Sequence, residues 1–189
     1  VAGSVSMQGD VEGEIGGKAL SDATTTAYAE AAGIDGGEGN DQIANSANFN
    51  LLQTRASSTG VSASVNISAG VAADGDAKVN VTGAALSDAR VTAEAETSAI
   101  KGGDGDDAII NSGDFVDLSS HADTTSVAAS LDITGAIAVK GDADASTSGS
   151  AASNSSANAL TRTVAIDSGA GNDIISNTGN IINLESESR

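Results

Sequence analysis

Gly36-Gly37-Glu38-Gly39-Asn40-Asp41 recurs as Gly102-Gly103-Asp104-Gly105-Asp106-Asp107, and again as Ser168-Gly169-Ala170-Gly171-Asn172-Asp173. The copies lie 66 residues apart, and the interval holds outside them: Ala19-Leu20-Ser21-Asp22-Ala23 returns as Ala85-Leu86-Ser87-Asp88-Ala89. Without gaps, residues 1–66 match residues 67–132 at 28 of 66 positions. A fixed long period marks a repeat architecture, in which each unit buries its apolar surface against its neighbours. The chain of 189 residues therefore divides into repeats 1–66, 67–132 and 133–189, the third 9 residues short, forming one continuous structural domain. A weaker interval of 33, carried by Ile34, Ile67, Ile100, Ile133 and Ile166, hints at two sub-turns per repeat.

Within a repeat the pattern is β. Val61, Ala63, Val65, Ile67, Ala69, Val71 and Ala73 alternate with small or polar neighbours, and residues 127–139 repeat the alternation. Period two over such a run predicts a strand with one buried and one wet face, and the apolar set is assigned to the buried one. Asp74-Gly75-Asp76, with Gly9-Asp10 and Gly141-Asp142, predicts a turn, as does Ser87-Asp88. Between these lie a strand near Val79–Ala85 and another over Val91–Ile100, the latter with Ala93 and Ala95 inward and Thr92, Glu94 and Glu96 outward. Short apolar pieces at Ile109-Ile110 and Phe115–Leu118 follow the glycine-rich segment, and residues 119–126 read as a polar loop.

Composition restricts the fold further. There is no Pro, Cys or Trp, with one Tyr and two Phe, so large interlocking side chains cannot fill the interior. Strands stacked in register about 4.8 Å apart can instead bury ladders of small residues, and the absence of Pro suits unbroken ladders. The reading is an all-β chain, a parallel β-solenoid of the β-helix or β-roll kind. An antiparallel β-sandwich-like repeat is the alternative, since several links are short enough for hairpins.

Function classes narrow in the same way. Zero Cys excludes disulfides and thiolate chemistry, and one His makes a His-clustered zinc site or a His-based triad a poor reading. A net charge of −18 opposes nucleic acid and anionic membranes and favours cations. No apolar run approaches the ~20 residues that span a bilayer. The first residue is Val, which points to a processed chain or a fragment.

The glycine-rich segment carries the chemistry. Glycines permit positive φ and turn carbonyls toward one point, and the sixth-position Asp adds a carboxylate to the all-oxygen shell that Ca²⁺ prefers. The segment resembles the hemolysin-type (RTX) nonapeptide of calcium-binding parallel β-rolls, Gly-Gly-x-Gly-x-Asp-x-apolar-x. The resemblance implies a metal set of Asp41, Asp107 and Asp173 with the carbonyls of Gly36, Glu38, Gly102, Asp104, Ser168 and Ala170. Asn40, Asp106 and Asn172, beside them in the motif, are counted with this metal set. Each copy here is solitary rather than in tandem, so copies 66 residues apart complete one another only if one whole repeat is one layer. The long Ala/Ser/Thr/Val repeats also resemble large secreted bacterial surface proteins, which implies an adhesin, matrix or fibre.

Other candidates read as scaffold. Asp74, Asp76, Asp142 and Asp144 are turn formers, Glu94 and Glu96 a solvated face, His121 a surface residue and Thr24–Thr26 an irregular Thr run without the columns of an ice-binding face. Basic residues are few and scattered, and repetition speaks against the single break in pattern that an active site makes, so a β-helix polysaccharide-active enzyme is the weaker expectation. The expectation is an extracellular or cell-surface structural protein stabilised by Ca²⁺. It is a segment or subunit of a fibre, sheath or adhesin, and associates with itself as a filament or with neighbouring repeats of a longer chain. A module that binds surface glycans is the alternative.

Overall fold

The computed structural model describes residues 2–6, 12–72, 78–139 and 142–189. These residues form ten strands: β1 (Ala2–Ser6), β2 (Glu12–Asp35), β3 (Gln42–Asn45), β4 (Leu52–Ala72), β5 (Lys78–Lys101), β6 (Ala108–Asn111), β7 (Leu118–Ala138), β8 (Asp144–Asp167), β9 (Ile174–Asn177) and β10 (Leu184–Ser188). They make three sheets, ordered β1-β4-β7-β10, β2-β5-β8 and β3-β6-β9. The paired strands run parallel with partners one repeat apart: Ala2 faces Ser68, Leu118 faces Leu184, and Gln42 faces Ala108, which faces Ile174. The chain is thus an all-β solenoid in which one 66-residue repeat is one coil. Each coil is a long strand, a tip bearing the glycine-rich loop and a short strand, and a long return strand.

This register sets aside the antiparallel sandwich and the 33-residue sub-turn. Ile67 and Ile100 have no common environment: Ile67 is 41% exposed and Ile100 fully buried. Ser87-Asp88 is not a turn either, since β5 runs through it. Ser87 Oγ donates to Ser64 Oγ at 2.9 Å, Asp88 pairs with Arg90, and the backbone stays in its ladder. Residues 119–126, read as a loop, belong to β7. Asp142 lies at a bend before β8, whereas Gly9, Asp10, Asp74, Gly75, Asp76 and Gly141 fall outside the described residues.

The strand alternation is real, but along β4 and β7 its phase is the reverse of that expected. Ser62, Ser64, Asn66 and Ser68 point inward, at most 5% exposed, whereas Val61 and Val65 stand outside at 64% and 57%. The physical reason is the narrow space between facing sheets. A Cβ on Gly70 would lie 2.4 Å from Val79 Cγ1 and 2.9 Å from Ile15 Cδ1, so β4 yields wherever its partner is large. On β5 the predicted phase holds, with Ala93 and Ala95 fully buried.

By internal contacts the chain forms two compact units, each drawing a segment from every repeat. The first is Val1–Thr24, Gly60–Arg90 and Ser126–Ser156; the second is Thr25–Thr59, Val91–Thr125 and Ala157–Arg189. In the first, Ile15, Ala72, Val79 and Val81 make a small apolar cluster, and hydroxyls tie the sheets: Ser62 Oγ donates to the Ser21 carbonyl at 2.9 Å and Ser126 Oγ to that of Ala89 at 2.8 Å. In the second, Ala56, Ala93, Ala95 and Ala122 pack together, with the Thr54 and Thr97 hydroxyls 2.7 Å apart. Its larger side chains gather at the coil tip, where Ile43, Ile100, Ile109, Phe115 and Leu118 are buried and the Phe49 and Phe115 rings stack 5.7 Å apart. These buried hydroxyls are tolerated because they are hydrogen-bonded, whereas those of Thr25 and Ser98 are buried without a partner. No helix among the described residues is long and apolar enough to cross a membrane.

Candidate functional site

The three glycine-rich loops lie in the second unit and stack directly. Glu38 bridges to Asp104, and Asp104 to Ala170. Gly39 N–H donates to the Asp104 carbonyl at 2.7 Å, Asp104 N–H to that of Gly37 at 2.9 Å, and Gly105 N–H to that of Ala170 at 2.8 Å. The condition that the resemblance required, one repeat per layer, is therefore met by the backbone.

Each glycine has its own reason. Gly37, Gly39, Gly103, Gly105, Gly169 and Gly171 all have φ between 88° and 140°, which disfavours any side chain. At the first motif position the constraint is space. A Cβ on Gly102 would lie 2.2 Å from the Ser168 carbonyl oxygen and 2.5 Å from Asp107 Oδ2, and one on Gly36 would lie 2.3 Å from the Gly102 carbonyl oxygen and 3.0 Å from Asp41 Oδ2. The missing side chains keep a carboxylate oxygen and a carbonyl oxygen open to one small space.

Asp41, Asp107 and Asp173 form a column of three like charges, one per coil. Asp41 N–H donates to Asp107 Oδ1 at 2.9 Å, and Asp107 N–H to Asp173 Oδ1 at 3.0 Å. One oxygen of Asp107 and one of Asp173 is thereby used in joining coils. The second oxygens of Asp41 and Asp107 are buried without any hydrogen-bond partner, two of four such side-chain atoms among the described residues. Asp107 itself is 2% exposed. A buried anionic oxygen without a donor is costly, and stacked like charges add to that cost.

The remaining motif residues are placed differently. Asn40, Asp106 and Asn172 make a separate exposed column in which amide and acid alternate. Asp106 N–H donates to Asn40 Oδ1 at 2.9 Å, and Asp106 Oδ1 accepts from Asn172 N–H at 2.8 Å and from its Nδ2 at 3.2 Å. Glu38 and Asp104 line an open cleft of about 310 Å³ with Asp35, Lys101 and Asp167. The Asp104 and Ala170 carbonyls accept ladder bonds, whereas among the described residues no backbone N–H donates to those of Gly36, Gly102 and Ser168. Among the described residues no three His, Cys, Asp or Glu side chains converge on a common point. An ion at this column would meet one or two carboxylates, and carbonyls would complete its shell.

Two further columns at the tip carry a signal in the sequence. Asn45, Asn111 and Asn177 occupy one column, where Asn45 Nδ2 donates to Asn111 Oδ1 and Asn111 Nδ2 to Asn177 Oδ1, both at 2.7 Å. Asn48, Asp114 and Asn180 repeat the amide–acid alternation, with Asp114 N–H on Asn48 Oδ1 and Asn180 N–H on Asp114 Oδ1, each at 2.9 Å. Identity or near-identity across three repeats was the available signal.

Beside the loops, basic residues reach acids one coil away. Lys101 pairs with Glu30 and Arg162 with Glu96, and Arg162 also meets Asp167 at 2.8 Å. The hydrogen bond from Lys101, then that from Tyr28, holds the Glu30 carboxyl below its ordinary value. The hydrogen bond to Glu30 raises both Lys101 and Tyr28. Glu96 is thus an ion-pair partner rather than a purely solvated acid. His121 lies on β7 with Nε2 3.0 Å from Asp123 and Nδ1 2.9 Å from Glu187. Burial pushes Asp123 up, but the Arg55 hydrogen bond and the His121 charge leave it below its usual value. A cleft of about 510 Å³ lies in the first unit among Glu12, Glu14, Lys78, Asn80, Asp144 and Ser146.

Comparison of the chain with protein-family models, curated proteins and solved structures finds no match.

Proposed function

We propose that the chain is a calcium-stabilised structural segment of an extracellular fibre, sheath or adhesin, built to stack coil upon coil. The observation that carries the reading is the Asp41–Asp107–Asp173 column: acids in direct register, with two buried oxygens lacking any donor and glycines that leave carbonyls beside them. Hard, oxygen-rich surroundings suit Ca²⁺, and an ion there removes like-charge repulsion and supplies the missing partner. The three carboxylates and the carbonyls of Gly36, Gly102 and Ser168 are the residues that would hold it. Glu38 and the ladder-bonded Asp104 and Ala170 carbonyls are secondary donors, and Asn40, Asp106 and Asn172 belong to the neighbouring column. Because the loops come from different coils, ion binding becomes coil-stacking free energy. The edges of β2–β3 and β8–β9 present parallel ladders on which further coils, from a longer chain or another copy, can add.

Thermal melts in millimolar Ca²⁺ and in EGTA test the reading. The melting temperature should rise with Ca²⁺ and fall with the chelator, with Mg²⁺ a poor substitute because its octahedral demands are stricter. A melting temperature indifferent to Ca²⁺ and EGTA overturns it.

A further inference from the structure

We propose that the outer face of β4 and β7 in the first unit is a self-docking surface, against which the same face of a second copy packs sheet on sheet. The inference stands on this face alone and not on the calcium reading.

The outward positions of the two strands line up one coil apart as Val61 with Val127, Val65 with Leu131, and Ile67 with Ile133, all between 41% and 64% exposed. Ile137 and Val139 extend the row at 60% and 62%. Small residues stand between them, Ala63 beside Ala129 and Ala69 beside Gly135, so ridges of branched side chains alternate with grooves. None of these outward positions carries a charge, in a chain with 34 charged residues (26 acidic and 8 basic). The other sheet of the same unit is the contrast: its outward positions include Glu12, Glu14, Lys18, Asp22 and Asp88. Scattered exposed apolar residues need no explanation, but a contiguous, charge-free apolar sheet face marks an interaction surface.

Geometry and area select the occupant. The face repeats at about 4.8 Å across strands and about 6.7 Å along them, and the surface that matches this lattice is another sheet of the same spacing, at roughly 10 Å separation. A run of 13 residues (127–139) extends about 43 Å, which over the two strands β4 and β7 gives a flat footprint of roughly 400 Å². Two such faces meet over about 800 Å² together, the size of a weak, concentration-dependent pair. The face is complementary to itself, ridge to groove, which gives a closed pair. A partner chosen by charge has nothing to hold here. Since each chain carries −18, pairing works against long-range repulsion, and salt strengthens it by screening that repulsion and reinforcing apolar burial.

Sedimentation velocity across protein concentration and salt tests the proposal at fixed Ca²⁺. The wild-type chain should form a species of twice 18.2 kDa, at least tenfold more tightly at about 0.5 M salt than at about 0.01 M. Leu131→Lys should weaken pairing at least tenfold, whereas Leu20→Lys, on the charged sheet and 70% exposed, should pair as the wild type does. Circular dichroism checks that both variants stay folded. Because the chain has no cysteine, Ile133→Cys gives an independent readout: a short bis-maleimide should link two copies there and not at Leu20→Cys. A wild-type chain monomeric at all salt concentrations overturns the proposal. So do pairs or larger assemblies undiminished in Leu131→Lys, which would be end-to-end stacking, and equal cross-linking at both cysteines.

Discussion

Asn45, Asn111 and Asn177 stand four residues along the chain from Asp41, Asp107 and Asp173, and both columns repeat once per coil through the same stack of tips. The amide column closes on itself: each Asn111-type side chain has a donor for the next oxygen and an acceptor for the previous donor, and Asn111 Nδ2 also reaches the Gly113 carbonyl at 2.7 Å. The carboxylate column cannot, because a carboxylate brings acceptors and no donors. One oxygen each of Asp107 and Asp173 takes a neighbouring N–H, and the second oxygens of Asp41 and Asp107 have nothing. One rung spacing thus supports a self-sufficient ladder in one column and a ladder that needs an outside charge in the other. The flanking columns 40/106/172 and 48/114/180 show the intermediate solution, an acid between two amides.

Changing one column into the other gives the largest expected effect. Asn111→Asp places a charge at a fully buried position and removes the donor to Asn177, and should cost about 3 kcal/mol or more in urea unfolding; a loss under about 1 kcal/mol would show that the amide ladder matters little. Next in size is the calcium increment itself, about 2.7 kcal/mol when free Ca²⁺ is a hundredfold above its dissociation constant. Asp107→Asn should abolish that increment, while Asn40→Ala, in the exposed neighbouring column, should leave most of it; equal losses would mean that the two columns are not distinct. In EGTA the sign reverses. Asp107→Asn should then stabilise the chain by roughly 0.5–1 kcal/mol by relieving a stacked like charge, and destabilisation in EGTA would contradict the repulsion argument.

The smallest effect concerns the ion pairs beside the loops. The Glu30 carboxyl is lowered by its hydrogen bonds from Lys101 and Tyr28. Its contribution is therefore present above the ordinary glutamate value of 4.5 and fades as pH falls through the lowered one. Lys101→Met should cost about 0.5 kcal/mol at neutral pH, and the gap from wild type should close in acid. A gap that persists in strong acid would make Lys101 a packing residue.

Much of this organisation is legible in the residues. Period 66 and the alternation of strands follow from repeated identities, and the stacking of Asp41, Asp107 and Asp173 follows once one repeat is one coil. The inward face of β4 is not legible, because a period of two names two faces without ranking them. The width left beside Val79, Val81 and Ile15 decides, and that width is a property of the facing strand. Ser87-Asp88 shows the same limit, since turn-forming side chains remain in a strand when the opposite sheet supplies their partners. The Asn45 column was visible as three identical residues but has the appearance of loop punctuation until the coils are stacked.

Crystals grown in millimolar Ca²⁺, with data collected at a wavelength where calcium scatters anomalously, give the most direct test of the central claim. An anomalous peak is expected about 2.4 Å from Asp107 Oδ2, shared with a carbonyl of a stacked loop, and none beside Asn111. A map with no peak at Asp107, or with a protein group or water donating to that oxygen, would contradict it.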